Sequence, residues 1–292
     1  MSAAPSAGVA GRPYRDRIVR PVLIVSTPRS GSTLLFETLV KAPGLFSAGG
    51  ESHARIEQAA DFFPGSRGWS SNRLDAGDAR PETVEELARS FYAVLRDRDG
   101  ASAARDARML EKTPKNALRV PFFDAAWPDS LFIYLYRDVR QTLASMMEAW
   151  ASGRFVTYPA LPGWRGLPWS LVLTPGWQEL SGLDLPEIVA RQWTATTNIL
   201  VDDLSALPPE RVIGVDYGEL LADPQATMIR LSGTLGLEWD TQLPATLPYS
   251  KTTYSRPSPD KWQRLKPQIE SMIPIVAAAD AKARAFLEKI RR

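Results

Sequence analysis

Between Thr27 and Thr33 the chain reads TPRSGST, gathering one guanidinium, four hydroxyls and a glycine into seven residues. Where a strand turns into a helix, such a stretch aims backbone N–H groups and the positive end of the helix dipole at one point, which suits an anion. Gly31 lets the backbone approach closely, Arg29 supplies charge, and Ser30, Ser32 and Thr33 can donate hydroxyls. Phosphate is the obvious guest, although the same residues would also serve a plain strand-to-helix connection whose serines cap the helix. The nucleoside-triphosphatase loop G-x-x-x-x-G-K-[ST] is not matched, because Ser32 follows Gly31 where its lysine would stand. The departure argues against an ordinary ATP or GTP hydrolase. Elsewhere the chemistry has few residues to draw on. The chain has no cysteine and a single histidine, His53, which excludes disulfides, cysteine nucleophiles, thiolate metal sites and multi-histidine metal centres. Catalysis falls to oxygen, lysine and arginine groups with at most one imidazole, and no metal is expected.

The elements that must position these residues follow from apolar periodicity. Pro21–Ser26 (PVLIVS) is short, β-branched and bounded by proline and a turn, like a strand buried on both faces of a parallel sheet. From Ser32 onward, Leu34, Leu35 and Leu39 recur at helical spacing, so the opening stretch reads strand, tight loop, helix. Val84, Leu87, Phe91, Val94 and Leu95 write a further helix, and RMLEKTPKN a short strand ending at Lys112. Leu131–Tyr136 repeats the plan, ending at Arg137 before a helical run to Trp150, with Ser145 eight residues after the arginine. Residues 185–204 read as a helix, RVIGVDY as a strand, and DPQATMIRLSGTLGL as a helix stopped near Gly236. Alternating strands and helices predict an α/β fold with a central parallel sheet flanked by helices.

Between 150 and 184 the texture changes. Trp164, Trp169 and Trp177 are spaced among prolines and glycines without periodicity, a stretch too apolar for a linker and too irregular for a sheet element. It is expected to form a cap over the site within one domain spanning 18–292. Residues 1–17 are rich in Ala, Ser, Gly and Pro without a continuous apolar core, and are expected to form a flexible tail rather than a secretory signal. At 292 residues, with 35 basic against 33 acidic side chains, the composition is that of an ordinary globular protein, without the charge excess of a nucleic-acid binder. No stretch approaches the ~20 apolar residues of a membrane span. A cytoplasmic protein is the default expectation, and its oligomeric state is open.

TPRSGST resembles the 5′-phosphosulfate loop of sulfotransferases that use 3′-phosphoadenosine 5′-phosphosulfate (PAPS), in the Arg-Ser-Gly form of bacterial and tyrosylprotein members. YRDVRQTLAS, with Arg137 and Ser145, resembles that family's 3′-phosphate motif. EKTPKN, VDYGELLADPQATMIRLSGTLGL and SKTTYSRPSPDKW follow in the family's order, so the resemblance covers about Pro21 to Trp262. It implies a P-loop-like three-layer fold and transfer of a sulfuryl group from PAPS to a hydroxyl or amine of a small or carrier-tethered acceptor. Arg29 and the Ser30–Thr33 turn would neutralise the 5′-phosphate, Lys112 would reach the bridging oxygen or sulfonate, and Arg137 with Ser145 would fix the 3′-phosphate. The glycine-glutamate pair Gly50-Glu51 matches the position of the family's base; His53 is its partner or substitute. A carboxylate in that role is expected to have its pKa raised by burial. Ser250, Ser255, Lys261 and Trp262 could close over the nucleotide, although the family's usual Arg-Lys-Gly pattern is absent, and Arg256 and Lys261 would equally suit a solvated surface. The tryptophan-rich cap would wall the acceptor pocket, unless its rings merely pack together. A nucleotide kinase, or a nucleotide-binding protein without catalysis, remains the alternative.

Overall fold

The computed structural model describes residues 11–251, 253, 258 and 260–291. Its frame is a five-stranded sheet built from β1 (Val22–Val25), β2 (Leu45–Phe46), β3 (Arg108–Glu111), β4 (Leu131–Tyr136) and β7 (Val212–Asp216), in the order β2-β3-β1-β4-β7, with every pairing parallel. β1 lies at the centre: Val22 pairs with Leu110 on one side and Leu131 on the other. Every residue of β1 and β4 is buried, which is why these strands read as unbroken apolar runs rather than alternating ones.

The two-residue period of a strand divides their side chains between two cores. Leu23, Val25, Phe132, Tyr134 and Tyr136 face one layer; Val22, Ile24, Leu131, Ile133 and Leu135 face the other. Helices α4 (Pro81–Tyr92), α5 (Val120–Ala126) and part of α7 (Leu185–Ser205) cover the first face. On the second lie α2 (Ser32–Leu39), α8 (Tyr217–Ala222) and α9 (Pro224–Leu235). The helices after β4 and β7 open on aspartates that accept from first-turn amides: Asp138 from Gln141 in α6 (Val139–Ala151), Asp216 from Gly218 and Glu219 in α8, and Asp223 from Ala226 in α9. Each cap is worth about 1 kcal/mol and sets where its helix begins.

Several elements depart from the sequence reading. Within the span read as a tail, Tyr14–Arg17 form the short helix α1, held by Glu85, which accepts from the amides of Tyr14 and Arg15; residues 1–10 lie outside the described residues. The region 150–184, judged too irregular for a sheet, contains a small antiparallel pair, β5 (Val156–Tyr158) with β6 (Trp169–Ser170). Its tryptophans pack on one another. Trp164, Trp169 and Trp177 interlock edge to face with Trp150 of α6, with centroids 4.7 to 6.3 Å apart, inside a third core shared with α7 and a long helix α10 (Lys266–Ile290). Among the described residues no helix is long and apolar enough to cross a membrane.

Candidate active site

All the strands end toward one edge of the sheet, and the order reverses between β1 and β4, leaving a crevice outside their carboxyl ends where ligands of such sheets bind. The turn after β1 occupies it. Arg29 and Gly31 both adopt left-handed backbone, with φ of 67° and 95°; for a non-glycine residue such as Arg29 this costs on the order of 1–2 kcal/mol. Gly31 is needed for a second reason: a β-carbon there would lie 2.1 Å from the ring of Tyr217. Thr27 and Ser30 pair their buried hydroxyls at 2.7 Å, so the Ser30 side chain braces the turn from within, while Ser32 and Thr33 face the cavity.

From the end of β4, the Arg137 guanidinium donates to the carbonyl of Arg29 at 3.0 Å, grips Gln141 Oε1 at 3.2 and 3.3 Å, and lies over the Tyr217 ring at 4.9 Å. Arg29 in turn donates to Ser145 Oγ at 3.3 Å and lies over Phe155 at 4.3 Å. Burial lowers the pKa of both arginines, and Arg137 lowers that of Arg29 further; guanidinium groups stay charged regardless. Two neighbouring cations are thus held half-buried at one side of the cavity.

Across the cavity, after β3, Lys112 is 2 % exposed and its Nζ donates to Glu51 Oε1 at 2.5 Å and to Thr33 Oγ1 at 3.1 Å. The other Glu51 oxygen meets His53 Nε2 at 2.8 Å, at the start of the short helix α3 (His53–Gln58). Burial works to raise the Glu51 pKa, but the hydrogen bonds and charges of His53 and Lys112 outweigh it and bring it down to about 2. The direction is opposite to the one expected for this carboxylate: burial was anticipated, the paired cation was not. Glu51, His53 and Lys115 line the same cavity of about 750 Å³ as Arg29, Arg137 and Ser145. Among the described residues no group of three histidine, cysteine or acidic side chains gathers where a metal could be held.

The sequence pattern of the sulfotransferase family matches residues 21–166 and 168–241. The chain belongs to that family. Protein-tyrosine sulfotransferase A of Caenorhabditis elegans is 22% identical over 227 residues, covering 76% of this chain and 51% of the relative; the chain spans about half the length of the curated relatives it matches. Among solved structures, a sulfotransferase of Mycobacterium tuberculosis superposes with a TM-score of 0.49 at 15% identity, covering 91% of this chain and 78% of its own. One from Alicyclobacillus acidocaldarius gives 0.47 at 15% identity, covering 94% and 98%.

In this sulfotransferase-family chain, the described residues singled out from the sequence for catalysis or nucleotide binding, Ser30 apart, meet around one cavity. Lys112 touches it through Glu51 and Thr33. Ser250 lines it with its hydroxyl 3.0 Å from that of Thr253. Lys261 lines it too while ion-paired to Glu148 of α6, and Trp262 lies beneath Arg140 at 5.5 Å. Ser255 and Arg256 lie outside the described residues. The tryptophans expected to wall an acceptor pocket do not line this cavity; from that region its lining is Phe155, Val156, Thr157, Leu171 and Val172 of the β5–β6 pair and its flanks. Sequence reasoning missed Tyr217, Gln141 and Lys115. The signals were available: Tyr217 follows β7 as Arg137 follows β4, and Gln141 stands one helical turn after Arg137.

Proposed function

We propose that the protein is a PAPS-dependent sulfotransferase that moves a sulfuryl group to a hydroxyl or amine of a small or carrier-tethered acceptor. The observation that carries this reading is the meeting, in one cavity, of two half-buried guanidinium groups on one side and an ion-paired lysine and carboxylate on the other. The donor set fits the nucleotide. Arg29, Ser32, Thr33 and the turn amides suit the 5′-phosphate, and Arg137 with Ser145 suits the 3′-phosphate, through charge-assisted hydrogen bonds to planar donors. The apolar wall of Phe155, Val156, Leu171 and Val172 favours an acceptor with a hydrophobic body.

In-line transfer needs little covalent chemistry from the protein, only positioning and charge. Glu51 accepts the acceptor's proton as the new oxygen–sulfur or nitrogen–sulfur bond forms and the bond to the 5′-phosphate oxygen breaks. Lys112 stabilises the charge growing on that leaving oxygen. While Lys112 rests on Glu51 the carboxylate is ionised but weakly basic. When the lysine turns to the donor, the base is released and its affinity for a proton rises, so proton uptake is coupled to a filled donor site.

Calorimetric titration tests the donor. Adenosine 3′,5′-bisphosphate is expected to bind micromolar and ATP with magnesium much more weakly. Arg137→Ala is expected to weaken the bisphosphate roughly 10- to 150-fold, since hydrogen bonds to charged groups contribute about 1.5–3 kcal/mol. Preference for ATP, or indifference to Arg137, would sink the reading.

A further inference from the structure

Glu111 is the last residue of β3, fully buried, and takes no part in the chemistry above. Its carboxylate nonetheless draws together groups from two segments. Oε2 accepts from Ser52 Oγ at 2.9 Å; Oε1 accepts from Thr113 Oγ1 at 2.5 Å and from Asn116 Nδ2 at 3.3 Å. The Thr113 hydroxyl also accepts from the backbone amide of Ser52 at 2.8 Å, so Ser52 is held by both its main chain and its side chain. Burial pushes the Glu111 pKa up, and the hydrogen bonds from Thr113 and Ser52 work against that rise.

The residues on the two segments alternate. Glu111 and Thr113 point into this buried cluster and Lys112 points away from it to Thr33 and Glu51. On the facing segment Ser52 enters the cluster, while Glu51 and His53, on either side of it, face the cavity. The cluster therefore joins the bases of the reacting side chains rather than their tips. We propose that Glu111 is a positioning residue, a buried clamp that fixes the loop carrying Glu51 and His53 to the end of the strand carrying Lys112. The pair is thereby held in register even when Lys112 lets go of Glu51. Further along, Lys115 pairs with Glu57 at 2.6 Å, but at the reacting residues themselves the segments are joined across the cavity by the Lys112–Glu51 ion pair, which the transfer reaction must break. This role rests on the sulfotransferase reading for its kinetic consequence, and on geometry alone for its structural one.

Four variants test it, with rates read per folded molecule. Glu111→Ala is expected to lower kcat at least about 20-fold while the KM for PAPS and the Kd for adenosine 3′,5′-bisphosphate stay within about threefold, since the phosphate turn lies on other struts. Glu111→Gln is expected to restore most of kcat: its carbonyl can still accept from Thr113 and Asn116, and its amide can donate to the Ser52 hydroxyl. A Glu111→Ala enzyme with normal kcat, a parallel loss of nucleotide binding, or a glutamine no better than alanine would overturn the clamp. Should the alanine variant not fold, Ser52→Ala and Thr113→Val each remove one strut, and each is expected to cut kcat severalfold at unchanged KM; no change in either overturns the proposal. Amide hydrogen exchange provides an arm independent of activity. If wild-type protein moved no sulfuryl group, the function proposed above would fall. The clamp would still be judged by whether the Ser52 amide loses protection in the alanine or valine variant, unaltered protection refuting it.

Discussion

Glu51 is a carboxylate pulled in two directions, and its environment decides its proton affinity more than its residue type does. Burial raises its pKa, while His53 and Lys112 lower it further than burial lifts it, to about 2. Replacing Lys112 with methionine removes the lysine's charge and hydrogen bond and leaves burial in place, so the Glu51 pKa is expected to move upward, read by carboxyl NMR titration; a value still near 2 would assign the depression to His53. The same sign governs stability. A carboxylate whose folded pKa is depressed stabilises the fold above its unfolded value, and that contribution is lost as pH falls from the ordinary carboxylate range toward about 2. Glu51→Gln is expected to lower kcat by roughly 10²–10⁴-fold, the usual contribution of a general base, with adenosine bisphosphate affinity unchanged. Each of these side chains was legible singly from its local motif. Their pairing was not, because Glu51 and Lys112 lie far apart along the chain and meet only once β2 is laid beside β3, and the error in the sign of the Glu51 shift came from that gap.

At the level of elements, the turn after β1 is the best-specified part of the molecule, and glycine is its narrowest point. Gly31→Ala would force a β-carbon both into a left-handed backbone and into the Tyr217 ring. It is expected to lower the melting temperature and abolish bisphosphate binding. Adding Tyr217→Ala removes the collision but not the backbone strain of about 1–2 kcal/mol, so recovery in the double variant should be partial; full recovery would mean that the left-handed turn costs nothing. The strand, turn and helix around it were readable because buried parallel strands and a helix with Leu34, Leu35 and Leu39 leave simple patterns. α10 was not. It carries Pro274 in its interior, whose ring and missing N–H are local features that argue against an unbroken helix. Packing overrides them: Ile269, Met272, Val276 and Ala279 enter one core, and Ala283, Phe286, Leu287 and Ile290 another. The β5–β6 pair was hidden for a related reason, since aromatic content announces burial without saying toward what.

Across the whole molecule, the tryptophans once expected to face an acceptor support the scaffold instead. Trp169 is fully buried among Trp150, Trp164 and Trp177. Trp169→Ala is expected to cost about 3–5 kcal/mol in denaturant unfolding, a large share of the roughly 5–15 kcal/mol that holds a domain together, while leaving bisphosphate affinity intact in the molecules that remain folded. A loss of affinity without a loss of stability would place that ring against the bisphosphate instead. The order of the sheet also has a consequence in time. β1 is the central strand, yet its partners are β3 and β4, and the ring that covers Gly31 belongs to Tyr217, beyond β7. Contacts so distant along the chain form slowly. A ribosome that has delivered β1 and its turn has therefore delivered neither the neighbours of that strand nor the ring that covers Gly31. The emerging chain must carry an apolar, unpaired β1 until β3 and β4 have followed it, and an uncovered turn until Tyr217 has, so the interval up to β4 is the stretch of translation in which it most exposes an unpaired apolar strand.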